Sequence, residues 1–112
     1  MAQVICRLNE IPDPGGFGFQ YWQNGMEREG FVLVWHGQTR AYTNSCPHTG
    51  VTLSWSENQF FDLSQQHIQC SLHGALFQPL DGLCIRGPCL GQKLVPLETR
   101  LVEGQVVLVQ GE

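Results

Sequence analysis

The sequence is poor in charge, and it has neither a cluster of basic residues nor a long hydrophobic run. Its six basic and ten acidic side chains make up 14% of the 112 residues, and the basic ones occur singly, which excludes a nucleic-acid-binding stripe. The longest apolar run, residues 31–35, has five residues, whereas a membrane-spanning helix needs about 20. The first ten residues lack the basic and apolar regions of a secretion signal. We therefore expect a soluble, cytoplasmic protein that binds neither nucleic acid nor membranes.

The sequence also lacks apolar residues at helical spacing, and it reads as short strands instead. Three pairs of β-prone runs flank two-residue turns that end in glycine, at His36–Gly37, Asp81–Gly82 and Glu103–Gly104. Residues 12–18 and 54–66 are predicted to be turn-rich loops, the second with room for one helical turn. The pattern predicts a compact, all-β, mainly antiparallel fold, and the chain length predicts a single domain.

Two short motifs combine soft metal ligands with glycine-ended turns. Cys46-x-His48 is followed after 21 residues by Cys70-x-x-His73, and five cysteines in a cytosolic chain favour thiols or metal ligands over a disulfide framework. Two thiolates and two imidazoles suit an iron–sulfur cluster or zinc. Structural zinc sites prefer C-x2-4-C and H-x3-5-H pairs, which this spacing does not match, so a zinc module is the weaker alternative.

These motifs resemble those of Rieske iron–sulfur proteins, and "CPHTG" with "CSLHG" is similar to the version in small Rieske-type ferredoxins. The resemblance covers residues 1–112 as one domain. It implies three stacked antiparallel sheets and a cluster-binding subdomain at about 45–90. It also implies one [2Fe–2S] cluster, with one iron held by Cys46 and Cys70 and the other by His48 and His73.

Four departures from the high-potential members of this family carry information. In those relatives each ligand loop carries one further cysteine besides its ligand, and a disulfide joins these two additional cysteines. At the corresponding positions this chain has Val51 and Leu72. They also place a serine and a tyrosine, which donate hydrogen bonds to sulfur, where this chain has Ala75 and Phe77. Without these donors, the reduction potential should lie toward the low end of the roughly −150 to +300 mV Rieske range.

The remaining cysteines are predicted to pack and not to ligate. Cys6 and Cys84 lie in strand-like runs as small buried hydrophobes, and Cys89 follows a Gly-Pro segment that, by resemblance, covers the cluster. The spacing of Cys84 and Cys89 permits a disulfide, although a reducing cytosol argues against one.

The other histidines and the aromatic residues receive structural roles. His36 is expected on the surface in a hairpin turn, and His67 is expected to be a solvent-facing strand residue and not a fifth ligand. Ala75 is expected to lie on a small apolar tip around the ligands. Most aromatic residues are expected in the core: Phe17, Phe19, Tyr21, Trp22, Phe31, Trp35, Trp55, Phe60, Phe61 and Phe77.

The predicted function is one-electron transfer, because a cluster with four protein ligands has no open coordination position and the sequence assembles no catalytic set. By resemblance, the protein takes electrons from a flavin-dependent reductase and passes them to a terminal oxygenase of the aromatic-ring hydroxylating type, or to another redox enzyme, by transient docking. A subunit of an assimilatory nitrite reductase is a related alternative, although many of those subunits lack the ligands. A redox sensor with the same cluster stays open.

Overall fold

The computed structural model describes residues 2–44, 60–62, 64–70 and 74–109. Within these ranges the chain forms ten strands, one short 3-10 helix (Leu8–Glu10) and no α-helix, which confirms the predicted all-β fold. Across the same ranges, no helix is long and apolar enough to cross a membrane. The strands are β1 (Ala2–Arg7), β2 (Gly15–Gln23), β3 (Met26–Trp35), β4 (Gln38–Thr43), β5 (Ile68–Gln69), β6 (Leu76–Phe77), β7 (Cys84–Arg86), β8 (Pro96–Leu97), β9 (Thr99–Val102) and β10 (Gln105–Val109).

The strands form three antiparallel sheets, as the resemblance implies. Their strand orders are β1-β10-β9, β2-β3-β4-β8 and β5-β6-β7. The second half of β3 is buried on both faces, since Phe31 and Leu33 belong to one hydrophobic core while Val32 and Val34 belong to another. A strand covered on both sides has no polar face, which explains the continuous apolar run at 31–35.

The two cores lie on opposite faces of the four-stranded sheet. One core joins this sheet to β5-β6-β7 and contains three of the cysteines: Phe31, Leu33, Tyr42, Phe60, Ile68, Cys70, Ala75, Phe77, Cys84, Cys89 and Leu94. The other joins it to β1 and β10: Cys6, Ile11, Val32, Val34, Ala41 and Val106. The predicted ligand Cys70 therefore rests on a packed core and not on a surface loop.

Two of the three predicted hairpin turns form as expected. His36 and Gly37 have φ values of 51° and 77°, and Glu103 and Gly104 have 51° and 79°. Positive φ at both central residues is the geometry of a type I′ turn, which matches the twist of the flanking strands.

The third predicted hairpin has a longer turn than expected. Gln78 N–H donates to the Leu83 carbonyl (2.9 Å), so that residues 79–82 all lie in the turn. Pro79 has no N–H with which to extend the ladder, and the Asp81 carboxylate accepts a hydrogen bond from Leu83 N–H at 3.0 Å. The prediction of a two-residue Asp81–Gly82 turn is therefore wrong, although β6 and β7 do pair.

The prediction that residues 12–18 form a loop holds for 12–14 and is wrong for 15–18, because β2 begins at Gly15 and continues to Gln23. Gly16 is needed for close packing: a Cβ there would lie 2.6 Å from the Phe60 ring. β2 also pairs with β3 around a turn at Asn24–Gly25, a hairpin that was not predicted.

Most described aromatic residues are buried or half-buried as predicted, but Trp22 is not. Trp22 is the second-last residue of β2, and it is 63% exposed. The adjacent Tyr21 is 3% exposed, as strand alternation requires. Trp55 lies outside the described residues.

Candidate metal centre

Cys70 is the predicted ligand that falls within the described residues, whereas Cys46, His48 and His73 lie outside them. It directly follows β5, and its side chain is fully buried. Cys70 N–H donates to the Ala75 carbonyl and Gly74 N–H donates to the Cys70 carbonyl, both at 2.9 Å. These two hydrogen bonds bring the chain back on itself after Cys70, so the thiol sits at the base of a tight loop.

A second loop, which we call the 84–92 loop, packs on this first one. Gly91 N–H donates to the Cys84 carbonyl (3.0 Å), and Cys84 N–H donates to the Gln92 carbonyl (2.8 Å), which closes the loop. Its Gly87 has φ +108°, and a Cβ on it would lie 2.8 Å from the Ala75 Cα. The Gly87–Pro88 segment is thereby held against the loop that carries Cys70.

Ala75 and Phe77 lie behind Cys70 and not on an exposed tip. Their exposed fractions are 1% and 0%. The expectation that Ala75 contributes to an apolar surface is wrong, because Gly87 lies directly against it. The side chains of both residues are nonetheless part of the core that contains Cys70, and both lack a hydroxyl group.

The three cysteines outside the two motifs are buried as predicted, and two of them touch. Cys6 lies in the opposite core, where burial and then the charge of Glu10 raise the pKa of its thiol. Cys84 and Cys89 are 1% and 0% exposed, and the Cys89 thiol donates to Cys84 Sγ at 2.9 Å. The Cys84 thiol in turn donates to the Arg86 carbonyl at 3.2 Å. No disulfide joins Cys84 and Cys89.

The segment before β5 is folded around the Asp62 carboxylate. Its Oδ1 accepts hydrogen bonds from Ser64 Oγ (2.8 Å) and His67 N–H (3.3 Å). Partial burial raises the pKa of Asp62, but these hydrogen bonds and the nearby His67 outweigh that effect and lower the pKa overall. Trp35 Nε1–H donates to the Gln65 carbonyl (3.1 Å), which ties the segment to β3.

His67 differs from its predicted role. It precedes β5, its side chain is 32% exposed, and Nδ1 faces Asp62 Oδ2 at 3.6 Å. This distance is too long for a hydrogen bond but allows an ion pair when the imidazole is protonated. The expectation of a solvent-facing strand residue is therefore wrong, because the ring packs toward the carboxylate.

Tyr42 fixes the β6–β7 hairpin to the central sheet. Its hydroxyl donates to the Pro79 carbonyl at 2.9 Å, and Arg40 Nε–H donates to the Leu80 carbonyl at 3.1 Å. A Cβ on Gly82 would lie 2.9 Å from the Tyr42 ring. Burial raises the pKa of Tyr42 to about 12, so the phenol remains protonated and can donate at neutral pH.

The described residues form a small all-β domain of three antiparallel sheets that buries the thiol of Cys70 directly after β5. A family model of the Rieske [2Fe–2S] domain matches residues 1–110, and the chain therefore belongs to the Rieske [2Fe–2S] family. The family prediction is confirmed. Comparison of the sequence with curated proteins found no relative.

Solved structures share this fold at low sequence identity. The ferredoxin of carbazole 1,9a-dioxygenase from Nocardioides aromaticivorans IC177 is 16% identical, with a TM-score of 0.74 and 99% of each chain covered. The ferredoxin from Sphingomonas yanoikuyae B1 is 20% identical, with a TM-score of 0.73, 99% of this chain and 100% of that chain covered. The terminal oxygenase of carbazole 1,9a-dioxygenase from Novosphingobium sp. KA1 is 21% identical, with a TM-score of 0.79, 99% of this chain and 30% of that chain covered.

The residues present fit the one [2Fe–2S] cluster that this family holds. The predicted ligand Cys70 would offer a soft thiolate in an apolar enclosure, where a ligated thiolate is favoured and a bare one is costly. The backbone hydrogen bonds to Ala75 and from Gly74 fix its position. When bound, such a cluster supplies a one-electron redox couple. The buried core that contains Cys70 would shield that couple from solvent on one side.

Proposed function

We propose that this protein is a one-electron carrier, the ferredoxin component that takes electrons from a flavin-dependent reductase and passes them to a terminal oxygenase of the aromatic-ring hydroxylating type. The observation that carries this proposal is the Rieske domain match over residues 1–110, because this cluster-binding domain then makes up nearly the whole sequence. The fold shared with two ferredoxins over almost their entire length supports it. We place the carrier in the cytoplasm.

The proposed ligands are Cys46 and Cys70 for one iron and His48 and His73 for the other. Residues 1–112 would form a single domain, in which about 45–90 make up the cluster-binding part. Cys70 supports this assignment because its thiol is buried at the base of a loop that hydrogen bonds close. With four protein ligands the cluster has no open coordination position, so we propose that the protein has no substrate site of its own.

Reconstitution of the electron-transfer chain tests this function. The reductase and oxygenase encoded beside the gene are mixed with and without the purified protein, and NADH oxidation coupled to product formation is followed. We expect product formation to depend on the protein and to saturate with its concentration. Because a transient carrier must dissociate after each transfer, we also expect rapid turnover at low carrier-to-oxygenase ratios. Full product formation without the protein would contradict the proposal, as would a reduced protein that the oxygenase does not reoxidise.

The missing hydroxyl donors give a separate prediction about potential. We expect the Ala75→Ser and Phe77→Tyr double variant to have a higher midpoint potential than wild type, because added O–H donors stabilise the extra charge of the reduced cluster. Protein-film voltammetry at fixed pH measures the shift. Phe61→Tyr, a half-buried substitution beside the same core, is the control and should leave the potential unchanged. An equal or lower potential in the double variant would show that the missing donors do not set the potential here.

A further inference from the structure

We propose that Cys84 and Cys89 form a reversible dithiol–disulfide couple that responds to hydrogen peroxide. The inference is independent of the proposed electron-carrier function, because it rests on these two side chains and not on the predicted cluster ligands. The two sulfur atoms lie 2.9 Å apart within a single closed loop. A disulfide has an S–S bond of about 2.05 Å, so a further approach of roughly 0.9 Å forms the bond.

The hydrogen bonds of the pair show that the two sulfurs already face each other. The Cys89 thiol donates to Cys84 Sγ, and the Cys84 thiol donates to the Arg86 carbonyl at 3.2 Å. The backbone hydrogen bond from Gly91 N–H to the Cys84 carbonyl keeps the ends of the loop together. Bond formation therefore requires a small side-chain movement and no rearrangement of strands.

Burial selects the oxidant. Both thiols are almost completely buried, which protects them from bulky thiol reagents. The residues between and beside them are exposed: Ile85, Arg86, Gly87, Pro88 and Leu90. The two thiols thus point inward from the 84–92 loop, whose other residues are exposed, and such a loop can open locally. Hydrogen peroxide is small enough to reach the two thiols when the loop opens.

The chemistry balances with one peroxide per pair. One sulfur, as a thiolate, attacks a peroxide oxygen, and the O–O bond breaks. This cysteine becomes a sulfenic acid, and the other peroxide oxygen leaves as water. The second sulfur then attacks the sulfenic sulfur; the S–O bond breaks, the S–S bond forms, and a second water leaves. Two thiols are oxidised, one peroxide is reduced, and two protons end in the two waters. In a reducing compartment such a disulfide is transient, because a dithiol reductant reverses it.

The loop that closes is the one that supports the proposed ligand loop. Gly87, between the two cysteines, lies against Ala75, and Ala75 accepts the hydrogen bond from Cys70 N–H. A disulfide would fix the 84–92 loop in the position that this contact requires. Oxidation at this pair is therefore a modification next to the predicted metal centre, and neither cysteine is one of its four proposed ligands.

Peptide mapping of the whole, cluster-loaded protein tests the couple. The protein is treated with one to two equivalents of hydrogen peroxide, and catalase then removes the remaining peroxide. The protein is denatured in the presence of an alkylating agent, which blocks the free thiols, and is digested with trypsin. Trypsin cuts after Arg86, so Cys89 lies on peptide 87–93 and Cys84 on peptide 41–86. A second digestion after Phe77 separates Cys84 from Cys70. We expect Cys84 and Cys89 to lose alkylation together, the two peptides to become linked, and dithiothreitol to restore both thiols.

Controls separate this result from other oxidation products. Cys6 is equally buried in the opposite core, and it should remain alkylated throughout. In Cys84→Ala, peroxide should no longer link peptide 87–93 to any other. Loss of the cluster colour shows that peroxide has acted on the protein. If Cys84 and Cys89 are then still fully alkylated, the couple is overturned, and a linkage of Cys89 to Cys46 or Cys70 would overturn it as well. The mapping needs only wild-type protein, so it stands if Cys84→Ala does not fold, and absorbance of the same samples reports the cluster separately.

Discussion

Replacing Cys70 with alanine is expected to abolish cluster binding. The thiol is fully buried at the base of the proposed ligand loop, and its loss would leave one proposed iron with a single thiolate ligand. We expect wild-type protein to be red-brown, with about two irons per chain. Its reduced form should give the rhombic, low-average-g EPR signal of mixed cysteine and histidine ligation. The variant should have neither colour nor signal.

A matched substitution distinguishes ligand loss from damage to a core. Cys6→Ala removes the same atoms from the opposite core, where Cys6 is 7% exposed. It should retain iron and the EPR signal while losing on the order of 1 kcal/mol of folding stability, since only a small buried group is removed. Circular dichroism of both variants checks that the sheets have formed. Iron and an unchanged signal in Cys70→Ala would contradict the ligand assignment, and so would a colourless wild type that contains stoichiometric zinc.

The family could be predicted from the sequence because its signal is local. The pairs at 46–48 and 70–73 combine soft ligands with glycine in short, stiff turns, and few other uses need that combination. Hairpin turns such as His36–Gly37 are local in the same way, because positive φ at consecutive residues favours particular residue types. Such local features were predicted only in part, since two of the three expected hairpin turns form and the turn at Asn24–Gly25 was not predicted.

Features that depend on distant packing were not predicted. The glycines at the start of β2 have the composition of a loop, yet Gly16 allows the Phe60 ring to approach from far along the chain. Ala75 follows a ligand loop, but Gly87 covers it. In each case the deciding atom belongs to another segment, and a single sequence does not reveal which segments meet.

The cysteine pair falls between these two cases. The spacing of Cys84 and Cys89 permits a bond, but spacing alone does not orient two side chains. The orientation comes from the hydrogen bonds that close the 84–92 loop and from Gly87, whose positive φ turns the chain between them. Sequence reasoning could name the pair, and the contact required the fold.

Replacing Gly87 with alanine is expected to destabilise the protein strongly. At φ +108° a side chain is strained, and the new Cβ would lie 2.8 Å from the Ala75 Cα and 2.9 Å from its Cβ. Backbone strain and overpacking together should cost about 2–5 kcal/mol. The displaced Ala75 also accepts the hydrogen bond from Cys70 N–H. We therefore expect a lower thermal midpoint and faster loss of iron to a chelator.

Gly91→Ala provides the control within the same loop. Gly91 has φ +88°, but a Cβ there would meet nothing within 4 Å. It should show the cost of backbone strain alone, about 1–2 kcal/mol, and iron should be lost at nearly the wild-type rate. The difference between the two variants isolates the contact of the 84–92 loop with the proposed ligand loop. If both release iron equally fast, the contact through Ala75 does not hold the Cys70 loop, and backbone strain in the 84–92 loop explains the whole effect.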